Sequence, residues 1–323
     1  MKIRSLKTAG MAVAAALALA SPLAAAETTL RAITAFQPGT TFAKPFEDFV
    51  SKVNAQGEGL LKIEVIGGPE AMPPFEIGNA LRNGIVDIAN TTAVFHASLV
   101  PEGVAMTLAT RPMSELRENG GYALMNQLHE DKARIHWLGR LTQGINYHIY
   151  LNEAPEGGKL DGLKLRSVPV YQAFFKDLGA TPMQTAPGEV YTALERGVID
   201  GYGWPSIGVF DLGWQDKTGA RVNPGFYQVE TGLYLSLKTW KSLSEEQQAF
   251  LSELMIETES SSSLVQDLAE AEKAKQIEAG IEMIDLDTDA ATEFGALAQE
   301  SGWKPILATS PEHGAKLREL FAD

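Results

Sequence analysis

Past residue 26, apolar and polar positions switch repeatedly between a two-residue and a helical period. Residues 30–36 are β-rich and are broken by Gln37-Pro38-Gly39. Phe42, Phe46, Phe49, Val50 and Val53 then recur at helical spacing, with Pro45 in the first turn, where a missing N–H is tolerated. Residues 61–66 return to a strand pattern ending in Gly67-Gly68, and a helix over 76–83 leads to a strand over 85–89. This β-α-β-α-β order predicts a mostly parallel sheet covered by helices.

An internal echo points to a second such unit. Ala80-Leu81-Arg82-Asn83-Gly84-Ile85-Val86-Asp87 recurs 113 residues on as Ala193-Leu194-Glu195-Arg196-Gly197-Val198-Ile199-Asp200. Each copy reads as a helix end, a glycine suited to a left-handed cap and a short buried strand. Helix–glycine–strand junctions are common, so eight positions alone carry little. The strand-like stretches upstream of each copy, 61–66 and 163–168, add weight. Further on, Ser244 and Gln247 form a capping-box pattern, with Phe250, Leu251, Leu254 and Met255 on one helix face. Helical composition persists to about Glu278, weakened at 260–263, before a strand over 281–286 and a last helix ending near Phe321. The expected architecture is α/β with two lobes sharing strands across a hinge: one mainly 27–150, one mainly 151–240, and C-terminal helices spanning both.

Composition adds a compartment. Lys2, Arg4 and Lys7 precede an apolar run from Ala9 to Ala20, and Ala24-Ala25-Ala26 offers a cleavage site, so residues 1–26 read as a secretory signal. The chain has no cysteine, which removes a lipid-anchored cysteine and requires a core that holds together without disulfides. The leader holds three of the 27 basic residues and none of the 41 acidic ones, leaving 24 against 41, a formal charge of −17. That balance argues against nucleic acid or an anionic membrane as partner.

Catalytic signatures are missing. Thiol chemistry needs a cysteine, none of the five histidines falls in HExxH, and GxSxG, GxGxxG and GxxxxGK[ST] do not occur. His129 and His136 have the spacing to share a helix face, which reads as a solvated face rather than a zinc site. Two residues stand out for binding. Arg166, in Leu163-Lys164-Leu165-Arg166, ends a strand shortly before Pro169, where a planar guanidinium can offer a carboxylate two parallel hydrogen bonds; the ordinary alternative is a surface arginine. Trp204, in Gly201-Tyr202-Gly203-Trp204-Pro205, follows a strand expected over 198–200, where α/β sheets place ligands; the alternative is a core tryptophan.

The stretch containing both resembles a known family. Asp161-Gly162-Leu163-Lys164-Leu165-Arg166, Leu178-Gly179-Ala180-Thr181-Pro182 and Glu189-Val190-Tyr191-Thr192-Ala193 through Gly201 are similar to the DctP-type substrate-binding proteins of TRAP transporters. The resemblance implies a two-lobe periplasmic-binding-protein fold, type II-like, with hinge strands and a long helix bracing both lobes. It further implies a monomeric periplasmic protein that closes on an acidic solute and passes it to a small and a large membrane subunit; no cofactor and no metal-binding residues are assigned. The family's arginine at Arg166 pairs with the substrate carboxylate. Many members carry a second arginine twenty residues earlier, where this chain has Asn146, and an Asn-Pro pair where it has Trp204-Pro205. One carboxylate anchor with an apolar, aromatic or sugar body against Trp204 is therefore expected. Thr92 (with Thr91), Phe36 and Gln37 fall where further ligand contacts are placed. The rival readings are an ABC-linked binding protein, a periplasmic enzyme acting on organic acids, and a ligand sensor.

Overall fold

The computed structural model describes residues 27–155, 159–260 and 265–322; residues 1–26, read from sequence as a secretory signal, lie outside them. In chain order the strands are β1 (Thr28–Thr34), β2 (Leu61–Gly67), β3 (Ile88–Thr91), β4 (Ile135–Thr142), β5 (Tyr147–Leu151), β6 (Lys164–Ser167), β7 (Thr181–Gln184), β8 (Gly201–Pro205), β9 (Ala220–Asn223), β10 (Thr231–Ser236) and β11 (Glu282–Asp285). They form two sheets, ordered β2-β1-β3-β10-β4 and β11-β9-β5-β8-β6-β7. Each repeats one plan: β1 pairs in parallel with β2 and β3, and β6 with β7 and β8. The expected two-lobe α/β fold is present.

The echo has a physical cause. Gly84 and Gly197, at φ of +68° and +65°, follow the helices Ile77–Asn83 and Val190–Glu195 closely, a backbone region where a Cβ is strained. The next N–H groups, of Ile85 and Val198, reach back to the carbonyls of Ala80 and Ala193 at 2.9 Å. Asp87 and Asp200 then clamp a neighbouring strand from both sides. Asp87 donates its N–H to the Arg31 carbonyl and accepts the Arg31 N–H on Oδ2, both at 2.9 Å. Asp200 does the same with Lys164, at 2.7 and 2.8 Å. These turns displace the strands expected at 85–89 and 198–200, which begin at Ile88 and Gly201, and they leave Ile85 and Val198 exposed rather than buried. The clamp also shows that β6 corresponds to β1, not to the 61–66 segment.

The chain leaves the first sheet at 143–146 and returns at 224–230. These crossings bond side by side, Tyr147 N–H to the Tyr227 carbonyl at 2.8 Å and Val229 N–H to the Ile145 carbonyl at 2.7 Å. Consequently β10, assigned from sequence to the second lobe, pairs inside the first sheet between β3 and β4. The helices Glu245–Ser260 and Val265–Glu278 make a third link. The first opens with the expected capping box: Gln247 donates its N–H to Ser244 Oγ at 3.2 Å, and Gln247 Oε1 accepts the Ser244 N–H at 3.0 Å. It buries Leu251, Leu254 and Met255 in the first lobe's core, each worth roughly 1.5–3 kcal/mol. The second helix docks on the other lobe, where buried Gln276 accepts from Arg221 and donates to the Ser206 carbonyl. The weak point expected at 260–263 falls almost wholly outside the described residues.

Candidate ligand-binding site

Parallel α/β sheets present ligands at the carboxyl ends of their strands, and here those ends surround a cavity between the sheets. Phe36 follows β1, Thr92 follows β3, Arg166 stands in β6 and Trp204 in β8, and all four line it. This inner chamber has a volume of about 30 Å³. Phe36, Phe42 and Trp204 also wall an outer chamber of about 270 Å³ that runs on to Pro69, Pro73 and Pro187.

Arg166 is 1% exposed. Nε donates to the Thr185 carbonyl at 2.9 Å, and Nη1 to the Gly203 carbonyl and the Tyr171 hydroxyl, each at 3.0 Å. Nη2 has no protein partner. No carboxylate among the described residues forms an ion pair with this guanidinium. Three neutral acceptors fix its orientation, and the free edge is what a ligand anion would meet.

Trp204 is a wall and core residue at once. Its ring packs edge-on against Trp214 at 4.5 Å and Phe42 at 6.0 Å, and the Arg166 Cζ lies 5.5 Å from its centroid. Its indole N–H has no partner. Thr92 donates its hydroxyl to Glu230 Oε2 at 2.9 Å, while the buried Thr91 hydroxyl has no partner. Gln37 is exposed and reaches only the outer chamber. Asn146 lines neither chamber: it is exposed on the hinge, with its carbonyl accepting the Ser206 N–H at 2.9 Å. Successive side chains of an extended segment point opposite ways, and it is Tyr147, the next residue, that lines the inner chamber.

Of the wall residues not singled out from sequence, three carry ionisable side chains. Tyr171 orients Arg166. Tyr147 places its hydroxyl among the fields of Tyr171, Glu230, Arg166 and Arg140, and burial pushes its phenol well above the usual range. Glu230 is fully buried; Oε1 accepts from the Tyr234 hydroxyl at 2.8 Å, and Oε2 from the Ala93 N–H at 3.0 Å besides Thr92. Burial pushes its carboxyl up, opposed by the field of Arg140 and by these donors. A lone acid in the run Val229-Glu230-Thr231-Gly232-Leu233 was the sequence signal for it.

The histidines differ from expectation. His129 ends up buried in the helix Gly121–Ala133, its Nδ1 bonded to the Met125 carbonyl at 2.9 Å, while His136 lies in β4 and stacks on Trp240 at 3.9 Å. They share no helix face, because Arg134 at φ 56° turns the chain from helix into strand. Among the described residues, no group of three or more His, Asp or Glu is placed to hold a metal ion.

Comparison with known proteins agrees with this architecture. The sequence model of the bacterial extracellular solute-binding proteins, family 7 (DctP), matches residues 155–305. A solute-binding protein of Roseobacter denitrificans is 24% identical over 208 residues, 62% of this chain and 63% of its own length. A monocarboxylate 2-oxoacid-binding periplasmic protein of Nostoc is 24% identical over 225 residues, 65% of this chain and 60% of its own length. The chain thus aligns with about three-fifths of each of these curated relatives. The crystal structure of a TRAP periplasmic solute-binding protein from Desulfovibrio salexigens, with bound orotic acid, superposes with a TM-score of 0.81 at 16% identity, covering 91% of this chain and 97% of that one. By sequence over residues 155–305 and by fold over both lobes, the chain is similar to the DctP-type solute-binding proteins of TRAP transporters, as its motifs indicated.

Proposed function

We propose that this protein is an extracytoplasmic solute receptor that closes on a small organic acid, holds its carboxylate on Arg166 and delivers it to TRAP membrane subunits. The observation that carries this reading is the state of Arg166: a cation withdrawn from water, oriented by three neutral acceptors, in ion-pair contact with no carboxylate among the described residues, and with Nη2 free in a cavity. Burying an uncompensated guanidinium is expensive, and an incoming carboxylate supplies both the missing charge and a charge-assisted hydrogen bond. Two supports are independent of Arg166. The relatives are solute-binding proteins, one of them described as binding monocarboxylate 2-oxoacids. The lobes are joined by three connections near one another, the arrangement a hinged clamp needs. Residues 1–26 fit the periplasm as its compartment.

Thermal unfolding across a library of organic acids, each paired with its methyl ester or amide, tests the reading. A ligand at about 100 times its Kd adds roughly 2.7 kcal/mol of stability, so at least one free acid is expected to raise Tm by several degrees while its ester does not. Equal shifts from acid and ester would contradict a carboxylate anchor.

A further inference from the structure

We infer that the acid taken by this site carries a positively charged nitrogen close to its carboxylate, recognised by Glu230 and the aromatic walls of the inner chamber. This rests on the reading of Arg166 as the carboxylate anchor and adds the chemistry of the rest of the ligand.

The chamber presents two opposite charges that do not pair with each other. Arg166 and Glu230 both line it, are 1% and 0% exposed, and no ion pair joins either to another described residue. Arg140 is the cation whose field reaches Glu230, but it donates to the Thr142 and Val229 carbonyls. Three donors, from Thr92, Ala93 and Tyr234, hold the Glu230 carboxylate in place. Burial disfavours the charged form of Glu230, while these hydrogen bonds and the Arg140 field favour it; a cation entering the same chamber adds to the second side, and a second ligand carboxylate does not. The rest of the wall is largely aromatic: Phe36, Phe42, Phe95, Tyr147, Tyr171 and Trp204 line the same chamber. Ring faces attract ammonium and methylated ammonium groups and offer nothing to a second anion. Size limits the spacing. The inner chamber, about 30 Å³, is far smaller than the 270 Å³ outer chamber, so whatever lies between Arg166 and Glu230 is compact and the bulk of the ligand extends past Trp204 into the outer chamber.

Calorimetry on the leaderless protein decides the matter with matched probes. These are the 2-ammonio, 3-ammonio, 2-trimethylammonio, 2-hydroxy and 2-oxo acids built on butanoate and 3-phenylpropanoate, with proline, N,N-dimethylproline and tetrahydrofuran-2-carboxylate as a cyclic set, and succinate. A zwitterion is expected to bind at least tenfold tighter than its uncharged counterpart, and succinate not to bind. Glu230→Gln is expected to weaken that zwitterion tenfold or more, while leaving the hydroxy or tetrahydrofuran acid within threefold. Uncharged acids binding as tightly as their zwitterionic counterparts to the unaltered protein would overturn the inference and leave the Arg166 anchor standing, and that comparison needs no folded variant. A Glu230→Gln protein that loses both classes equally would also overturn it, making Glu230 a brace for the Ala93–His96 turn. If no carboxylate in the panel binds, the anchor reading fails first and this inference with it.

Discussion

At Trp204 the sequence left two roles open, ligand wall or core, and the structure shows a core ring that also lines the cavity where the ligand is proposed to sit. The ring closes both chambers and also packs on Trp214 and Phe42. Trp204→Asn should therefore lower Tm, because an amide buried without partners costs a few kcal/mol, and should weaken the cognate ligand about tenfold, since aromatic contact adds roughly 0.5–1.5 kcal/mol beyond burial. Differential scanning calorimetry and titration on the same variant check this; a folded variant with full affinity would make Trp204 core alone. Arg166 and Trp204 were legible because they end strands inside a recognisable motif. Asn146 was not: its position fits a motif, but its side chain lies on the outward side of an extended hinge, and no spacing rule reports which side that is. Glu230 was visible only as one acid among apolar neighbours, a pattern that buried structural carboxylates share.

The elements were read with fair accuracy wherever one residue type dictates the local backbone. The capping box at Ser244 and Gln247 formed, and Gly84 and Gly197 took the left-handed caps. The start of β3 and β8 was missed by three residues because Asp87 and Asp200 spend their N–H and carboxylate on a neighbouring strand, a long-range bond with no local signature. The place of β10 was hidden for the same reason: strand partners are chosen across the fold. Element packing also sets acid sensitivity. Burial holds the His129 imidazole down at about 4, and burial with the nearby Arg221 charge holds His148, bridging β5 and β9, at about 3. In the unfolded chain both titrate near ~6.5. Their folded pKa values are depressed bases, so the folded protein binds fewer protons as pH falls, and stability drops from pH ~6.5 towards 4. At pH ~5 each should remove about 2 kcal/mol relative to neutral pH, partly offset by Glu230 and Glu272, whose carboxyls burial pushes up. Urea unfolding at pH 7.5 and 5 should show a lower midpoint at pH 5, with a smaller difference in His129→Gln; equal midpoints would contradict the buried neutral histidines.

Over the whole molecule, two sheets built to one plan bring four strand ends to one place, the crossings at 143–146 and 224–230 run side by side between them, and the helix Glu245–Ser260 ends beside the first, where Gln143 donates to the Glu259 carbonyl at 2.9 Å. One contact joins the two lobes directly: Thr41, ahead of the first helix, donates its N–H to Asp211 Oδ2 at 2.8 Å and its hydroxyl to Oδ1 at 3.2 Å. On the proposed reading, in which the lobes close on the ligand, such a contact would form on closure and share its free energy with binding. The −17 charge of the leaderless chain makes a deliberate internal cation necessary for an anionic ligand, and Arg166 is the one the cavity offers free. The central claim is that the lobes close on a carboxylate through this residue. Calorimetric titration of the best acid from the library into the unaltered protein, Arg166→Lys and Arg166→Ala tests it most directly. Loss of a charge-assisted partner in a closed site costs several kcal/mol, so affinity is predicted to fall at least a hundredfold in Arg166→Ala and substantially in Arg166→Lys, whose ammonium cannot hold three acceptors in one plane while facing the ligand. Near-normal affinity in a folded Arg166→Ala protein would contradict the account.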